Sequence, residues 1–387
     1  MRTETVLTHP LIFPLSFALF IGIGALASHG MSELGYPLSP RLFCYVAAGL
    51  GAYLVGTRYI LQTNSRIFFA LFSIFVFVTS FEEHGWHTLV ALAALFVLYW
   101  QWDAVRSHAL PVAVSGMALL LINMAYIGYV PLLNPGLRHA SQTLPFVFGY
   151  GLAFLGGALY FPAHRRGGAL LAAAILMAVL PYGMRSYMLI FLIAVGIEAV
   201  MLGACTARCI AAFAAAACIV LVGLGTITTL LLPQDWHLSG ASLVLYRIGF
   251  TTHMLDEACR MAGWSGILHG EIWRMTATSP LVGEIVAGSG NITTTIMGPL
   301  VIDGGLVEMP LMAFAGATLN TLYSRARSAP EFVPYYALVL AILLISIEIS
   351  PVPLIFGLFL FALSVTQRLE EARCAADARH ASAISKE

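Results

Sequence analysis

Long apolar runs, separated by short charged, Pro-rich or Gly-rich breaks, recur along most of the chain. They lie at 11–28, 41–58, 66–81, 86–102, 109–128, 144–162, 167–182, 186–204, 209–232, 304–323, 332–349 and 352–367. A helix needs roughly 20 mostly apolar residues to cross a hydrocarbon core about 30 Å thick, and these runs approach that length. They lack the period-two alternation of a transmembrane barrel strand, so each is read as a helix. The pattern predicts an all-α, polytopic membrane protein of about twelve transmembrane helices. Nine helices are expected in 1–232, an outer loop in 233–303, three more helices in 304–367 and a cytoplasmic tail in 368–387.

The pattern changes in the loop. Residues 242–262 fit a helix at 100° per residue. Val244, Ile248, Thr251, Leu255 and Cys259 fall in a sector of about 80°, and His253, Asp256, Glu257 and Arg260 in another of about 100°. The apolar stripe would lie on the membrane or the helix bundle and turn the four polar residues toward water. Two readings of that polar face stay open. It is a solvated surface with ordinary i,i+4 pairs, or a base, two carboxylates and a cation set over a cavity to activate a hydroxyl and hold a phosphate. The following stretch, 276–300, is rich in Gly, Thr and Ser and too broken to span. Non-helical backbone at such a depth persists where protein or a water-filled cavity satisfies it, so this stretch is expected to line one.

Composition removes the alternatives. Of 387 residues, 59% are apolar and 10% charged, which excludes a soluble domain, a disordered chain and a nucleic-acid-binding module. The six cysteines form no disulfide framework. Cys205 and Cys209 could share a helix face but have no His or acid beside them, so no metal site is expected, and no cofactor. The first apolar run reads as an uncleaved first span rather than a signal peptide.

Charge adds an orientation. Lys386 is the single lysine among 19 basic residues, which balance 19 acids. Placing both termini in the cytoplasm puts most bases inside, in agreement with the positive-inside rule. Six arginines remain outside: Arg41, Arg138, Arg185, Arg247, Arg260 and Arg274. Arg185 stands at the outer end of the eighth run, where it either snorkels to headgroups or faces a cavity. Arg247 sits at the edge of the predicted loop helix.

The segment Gly183-Met184-Arg185-Ser186-Tyr187, the stretch from Gly290-Asn291-Ile292-Thr293 through Ile302-Asp303-Gly304-Gly305-Leu306, and the run ending Leu322-Tyr323-Ser324-Arg325-Ala326-Arg327 together resemble the O-antigen polymerases, the oligosaccharide repeat-unit polymerases of bacterial envelopes. The resemblance implies a GT-C-like, metal-independent glycosyltransferase at the outer face of the inner membrane, with an undecaprenyl-diphosphate-linked oligosaccharide as both donor and acceptor. Membrane lipid and a chain-length regulator protein are the further partners it suggests. On this reading Arg185, Arg247 and Arg260 stabilise the departing diphosphate, and Tyr187 and Asn291 add contacts to diphosphate or glycan. His253, whose unperturbed pKa of about 6.5 suits the task, takes the acceptor proton, with Asp256 or Glu257 as the second choice. An O-antigen ligase, with the same donor, and a polyprenyl-linked glycan transporter or flippase are the alternatives.

Overall fold

The computed structural model describes residues 8–30, 37–204, 212, 214–219, 222–223, 226–227, 240–275, 278–288, 292–350 and 352–384. In chain order its α-helices are α1 (Ile12–Gly30), α2 (Pro40–Gly56), α3 (Ser65–His84), α4 (Trp86–Trp100), α5 (Trp102–Ser107), α6 (Ala109–Ile127), α7 (Leu144–Tyr160), α8 (Arg165–Val179), α9 (Arg185–Met201), α10 (Gly240–Ala262), α11 (Ser279–Ala287), α12 (Met297–Gly304), α13 (Pro310–Ser328), α14 (Val333–Ile345) and α15 (Val352–Ile384). The described residues contain no strand. The protein is thus an all-α, polytopic membrane protein. Each predicted run coincides with or overlaps a helix, except 209–232, most of which lies outside the described residues, as do Cys205 and Cys209.

Helix length gives a smaller number of full crossings than the apolar pattern did. Five of the described helices are long and apolar enough to cross a membrane, or six if one bent pair counts as a single span. Helices α2, α4, α7 and the stretch Pro330–Ile345 are apolar but shorter, at 10–17 residues. Local chemistry sets several of these ends. Helix α2 starts at N-cap Ser39 with Pro40 behind it, and α6 stops at Gly128, whose φ of 72° few other residues adopt. The largest departure is at the predicted run 304–323. Helix α12 and the 3-10 turn Gly305–Glu308 precede α13 and meet it at an angle of 105°. The arm Met297–Glu308 is too short to cross, and the spanning helix begins only at Pro310. At the C-terminus, α15 continues through the predicted tail to Ile384, 33 residues in all. That is about 50 Å at 1.5 Å per residue, more than a hydrocarbon core, and no Gly or Pro after Gly357 stops it.

The chain forms two compact units, Met1–Leu38 with Gln101–His253 and Leu340–Ile345, and Ser39–Trp100 with Met254–Val339 and Ser346–Glu387. Small residues let helix backbones touch in each. In the first unit a Cβ on Gly116 of α6 would stand 2.2 Å from Ala153 N and 2.6 Å from Gly149 O, and one on Gly156 of α7 would stand 2.4 Å from Ala113 N. In the second, a Cβ on Gly56 of α2 would be 2.0 Å from Ala313 O, and one on Gly316 of α13 would be 2.2 Å from Tyr53 O. Lipid supplies no hydrophobic drive between helices, so this close approach is how they gain packing energy. At one end of the second unit, buried Arg325 pairs with Glu370 at 2.8 Å and donates to Thr366 and Gln367. Beside it, Ser65 N and Oγ donate to Glu371 at 2.9 and 2.7 Å.

The glycine contacts yield a paired prediction. Gly116→Ala forces α6 and α7 apart and costs about 1–3 kcal/mol of stability. The same change at Gly151 of α7, which has nothing within 4 Å of its missing Cβ, is neutral or stabilising by up to about 1 kcal/mol. Thermal unfolding midpoints in one detergent compare the two.

Candidate functional site

In the first unit, a buried polar chain fixes the loop between α6 and α7. Asn123 donates to Ser141 O at 3.2 Å and to the Tyr182 hydroxyl at 3.1 Å. Thr143 donates back to Asn123 Oδ1, and the Tyr182 hydroxyl donates to Leu120 O at 2.6 Å. The loop in turn grips the tight turn before α9. Leu132 N donates to Pro181 O at 2.8 Å, and Arg138 Nη1 donates to Gly183 O at 3.2 Å. Gly183 has a φ of 65°, and a Cβ there would stand only 3.2 Å from Leu132 Cα, so the backbone chooses glycine there twice over.

This arrangement gathers cations. Arg138 from the loop, Arg185 from the first turn of α9 and Arg247 from α10 are all half-buried. Burial lowers the Arg138 pKa, and the charges of Arg185 and Arg247 lower it further. Like charges held this close in a partly desolvated place form a focused positive field, suited to an anion with several oxygens. Arg185 and Arg247 were expected as site residues. Arg138 was visible in the sequence as an outer arginine but carried no local signal for the site, because its placement depends on contacts 45 to 60 residues away in sequence.

Tyr187, one turn into α9, meets Tyr150 edge-on at 4.4 Å and Phe146 at 5.6 Å. Its ring braces the arginine-bearing turn against α7. His253 also belongs to this unit. The expectation that it faces water is overturned: it is 6% exposed, beside Thr251 and Thr252 at 0%. Helix α1 passes over this stretch, and a Cβ on Gly24 would stand 2.0 Å from Thr252 Oγ1.

In the second unit α10 continues, and Asp256 is fully buried rather than solvated. Its carboxylate accepts from Ser39 N at 3.1 Å to each oxygen and from Ser39 Oγ, and pairs with Arg260 at 2.9 Å. Glu257, 30% exposed, stands 3.9 Å from the same guanidinium. Arg41 Nη1 caps the end of α10 at Arg260 O, 3.1 Å away, and its guanidinium lies 5.2 Å over the Trp264 ring. A cation there also complements the helix dipole. The geometry makes Asp256 a fastener between α10 and the start of α2, with Arg260 neutralised by two carboxylates. Asn291 lies outside the described residues.

Beyond α10, the turn Gly263–Arg274 is tied to α12 by the Asp303 carboxylate. Asp303 accepts from Gly270 N at 2.9 Å to both oxygens and from Ile272 N at 3.4 Å. A Cβ on Gly266 would stand 2.1 Å from Asp303 O, and one on Gly305, whose φ is 61°, 2.3 Å from Trp264 O. The run Asp303-Gly304-Gly305 is therefore a backbone crossing. Glu308, on the short arm before α13, accepts from Trp273 Nε1 at 2.9 Å. Burial raises its carboxyl pKa to about 8, the neighbouring Asp303 carboxylate adds to this, and the Trp273 bond opposes it. Two groups of the broken stretch before α12 find partners in the protein: Ile296 N donates to Ser346 O at 2.8 Å and Thr278 Oγ1 to Ser350 O at 2.6 Å. Among the described residues no cluster of three His, Cys, Asp or Glu could hold a metal ion.

Against known proteins, a family model described as "Putative O-antigen polymerase" matches residues 6–360. No curated protein and no solved structure matches the chain.

Two measurements follow from these contacts. Asp256→Ala strands the Ser39 N–H and one end of the Arg260 pair, and costs about 3 kcal/mol in thermal unfolding. Glu308 binds its proton more tightly folded than unfolded, so its contribution is complete below its ordinary value of 4.5 and is lost as pH rises through about 8. The stability that Glu308 contributes therefore falls between about pH 5 and about pH 8, and Glu308→Gln removes that component of the pH dependence.

Proposed function

The chain belongs to the O-antigen polymerase family, and from that premise we propose that it joins undecaprenyl-diphosphate-linked oligosaccharide repeat units into a surface polysaccharide at the outer face of the bacterial inner membrane. The observation that carries the reading is the gathering of Arg138, Arg185 and Arg247, with the Arg138 pKa lowered first by burial and further by its two cationic neighbours. A lipid diphosphate supplies the charge and the several oxygens that three guanidinium forks can bind.

In this reaction the bond between the donor glycan's anomeric carbon and the diphosphate oxygen breaks, and the acceptor sugar's hydroxyl oxygen bonds to that carbon. The bonding electrons leave with the diphosphate, whose negative charge grows as the bond lengthens. Arg138, Arg185 and Arg247 stabilise that growing charge, which makes the transfer GT-C-like and independent of a metal in our reading. His253 accepts the hydroxyl proton. We favour it over Asp256, whose lone pairs are engaged by Ser39 and Arg260, and keep Glu257 as the second choice. Tyr187 acts by bracing the turn that carries Arg185.

The test is a ladder assay with purified full-length protein and a lipid-linked repeat unit. Wild-type protein gives a ladder without added core lipid; product only when core lipid is supplied would make it a ligase instead. Arg185→Ala and Arg247→Ala each abolish the ladder, and Arg138→Gln slows it by about 100-fold, the loss of one preorganised donor. His253→Ala removes activity while Glu257→Gln retains it. Wild-type ladders from all three arginine variants would sink the clamp.

A further inference from the structure

Helices α8 and α9 line a half-open groove of about 530 Å³, independent of the arginine cluster and unused by the proposed reaction. Its walls are apolar, with Ala172, Ala173 and Leu176 from α8 and Phe191, Leu192 and Val195 from α9, and Arg165 and Arg166 stand at one end. Arg165 spends one N–H on Leu202 O at 2.9 Å. Among the described residues neither arginine has a carboxylate within ion-pair distance, and the carboxylate of Glu198 on α9 is fully buried with no hydrogen-bond partner. The site is therefore amphipathic: a dibasic mouth that opens into a hydrocarbon slot.

The dimensions narrow the occupant. From Arg165 to Leu176 the lining runs along α8 for about 16 Å at 1.5 Å per residue. That is roughly half of a 30 Å hydrocarbon core, the depth of one leaflet. The volume also falls within the roughly 300–1,000 Å³ of ordinary ligand pockets. A slot one leaflet deep fits a phospholipid acyl chain. A polyprenyl chain would extend well beyond it. The paired guanidiniums select an anionic phosphate headgroup, and they lie on the side that the charge bias assigns to the cytoplasm. We propose that this groove is a binding site for one anionic phospholipid of the inner leaflet, with its phosphate on Arg165 and Arg166 and an acyl chain between α8 and α9.

The test uses the full chain purified in neutral detergent and stripped of lipid. Dioleoylphosphatidylglycerol, dioleoylphosphatidylcholine, undecaprenyl phosphate and inorganic phosphate are titrated separately, with retained lipid read by native mass spectrometry and unfolding by a thermal shift. Phosphatidylglycerol is expected to bind and to raise the midpoint, phosphatidylcholine and inorganic phosphate to do neither, and undecaprenyl phosphate to bind more weakly. The double variant Arg165→Gln, Arg166→Gln binds phosphatidylglycerol about thirtyfold more weakly, at about one order of magnitude or less per cation. Ala173→Phe, at an exposed position that tolerates bulk, blocks the slot and abolishes binding while both arginines remain. Equal retention of the two phospholipids, an equal shift from inorganic phosphate, tighter binding of undecaprenyl phosphate, or unchanged lipid binding in Ala173→Phe would each overturn the assignment. So would a lower lipid-free midpoint in Ala173→Phe, which would mean that another part of the chain already fills the groove.

Discussion

Backbone that leaves a helix in or beside a bilayer must find partners for its N–H and C=O groups within the protein, since the hydrocarbon offers none. Every break described above is closed by a particular group. Asp256 takes the Ser39 N–H at the start of α2, Asp303 takes Gly270 and Ile272, and the Ser346 and Ser350 carbonyls accept from Ile296 and Thr278. Asn123 and Tyr182 do the same for the loop after α6. These are buried, charge-assisted or cooperative bonds, and their loss would leave a polar group with no alternative partner. The apolar helices can form almost independently of one another, but their connections exist only because these side chains are where they are.

This constraint sorts the scarce polar residues by task. Carboxylates in the second unit are consumed as fasteners: Asp256 by Ser39 and Arg260, Asp303 by a turn, Glu370 by Arg325. Arg41 and Arg325 are consumed likewise, one as a helix cap and one inside a network. The trio in the first unit differs in kind, because two of its members act on the third as like charges that raise the cost of holding it ionised. A scaffold that accepts repulsion at one spot, and holds it there with a turn stitched by Leu132 and Arg138 to Pro181 and Gly183, has a reason to do so if an anion arrives.

Much of the fold was legible because apolar length is a strong signal. The runs placed the helices, and the 100° periodicity placed α10, which begins two residues earlier than expected and ends at the same Ala262. The helical wheel could not say what the polar face meets. It treats water and buried protein alike, so His253 and Asp256 were expected in solvent, whereas Gly24 of α1 admits Thr252 next to one and Ser39 bonds the other. The bend of 105° before α13 was hidden for a related reason. Gly304 and Gly305 signal a turn, but its direction comes from Trp264 and Gly266, far away in sequence. Arg185 and Arg247 could be picked out as cations that topology did not explain. Arg138 belonged to the same set, and nothing local distinguished it from Arg274, which is exposed and pairs with Glu271 at 3.8 Å.

If the arginine trio is the diphosphate clamp we propose, gathering cations would serve turnover better than mere affinity. A diphosphate bound through its ester already carries charge, so any guanidinium attracts the donor before reaction. Uniform attraction of that sort lowers the donor concentration required without accelerating the chemistry. The bridging oxygen gains negative charge only as the bond to the anomeric carbon lengthens. A donor group aimed at that oxygen therefore contributes more in the transition state than in the bound donor. Three cations on separate elements, a loop, a helix start and α10, can divide these tasks in a way that neighbours on one helix cannot.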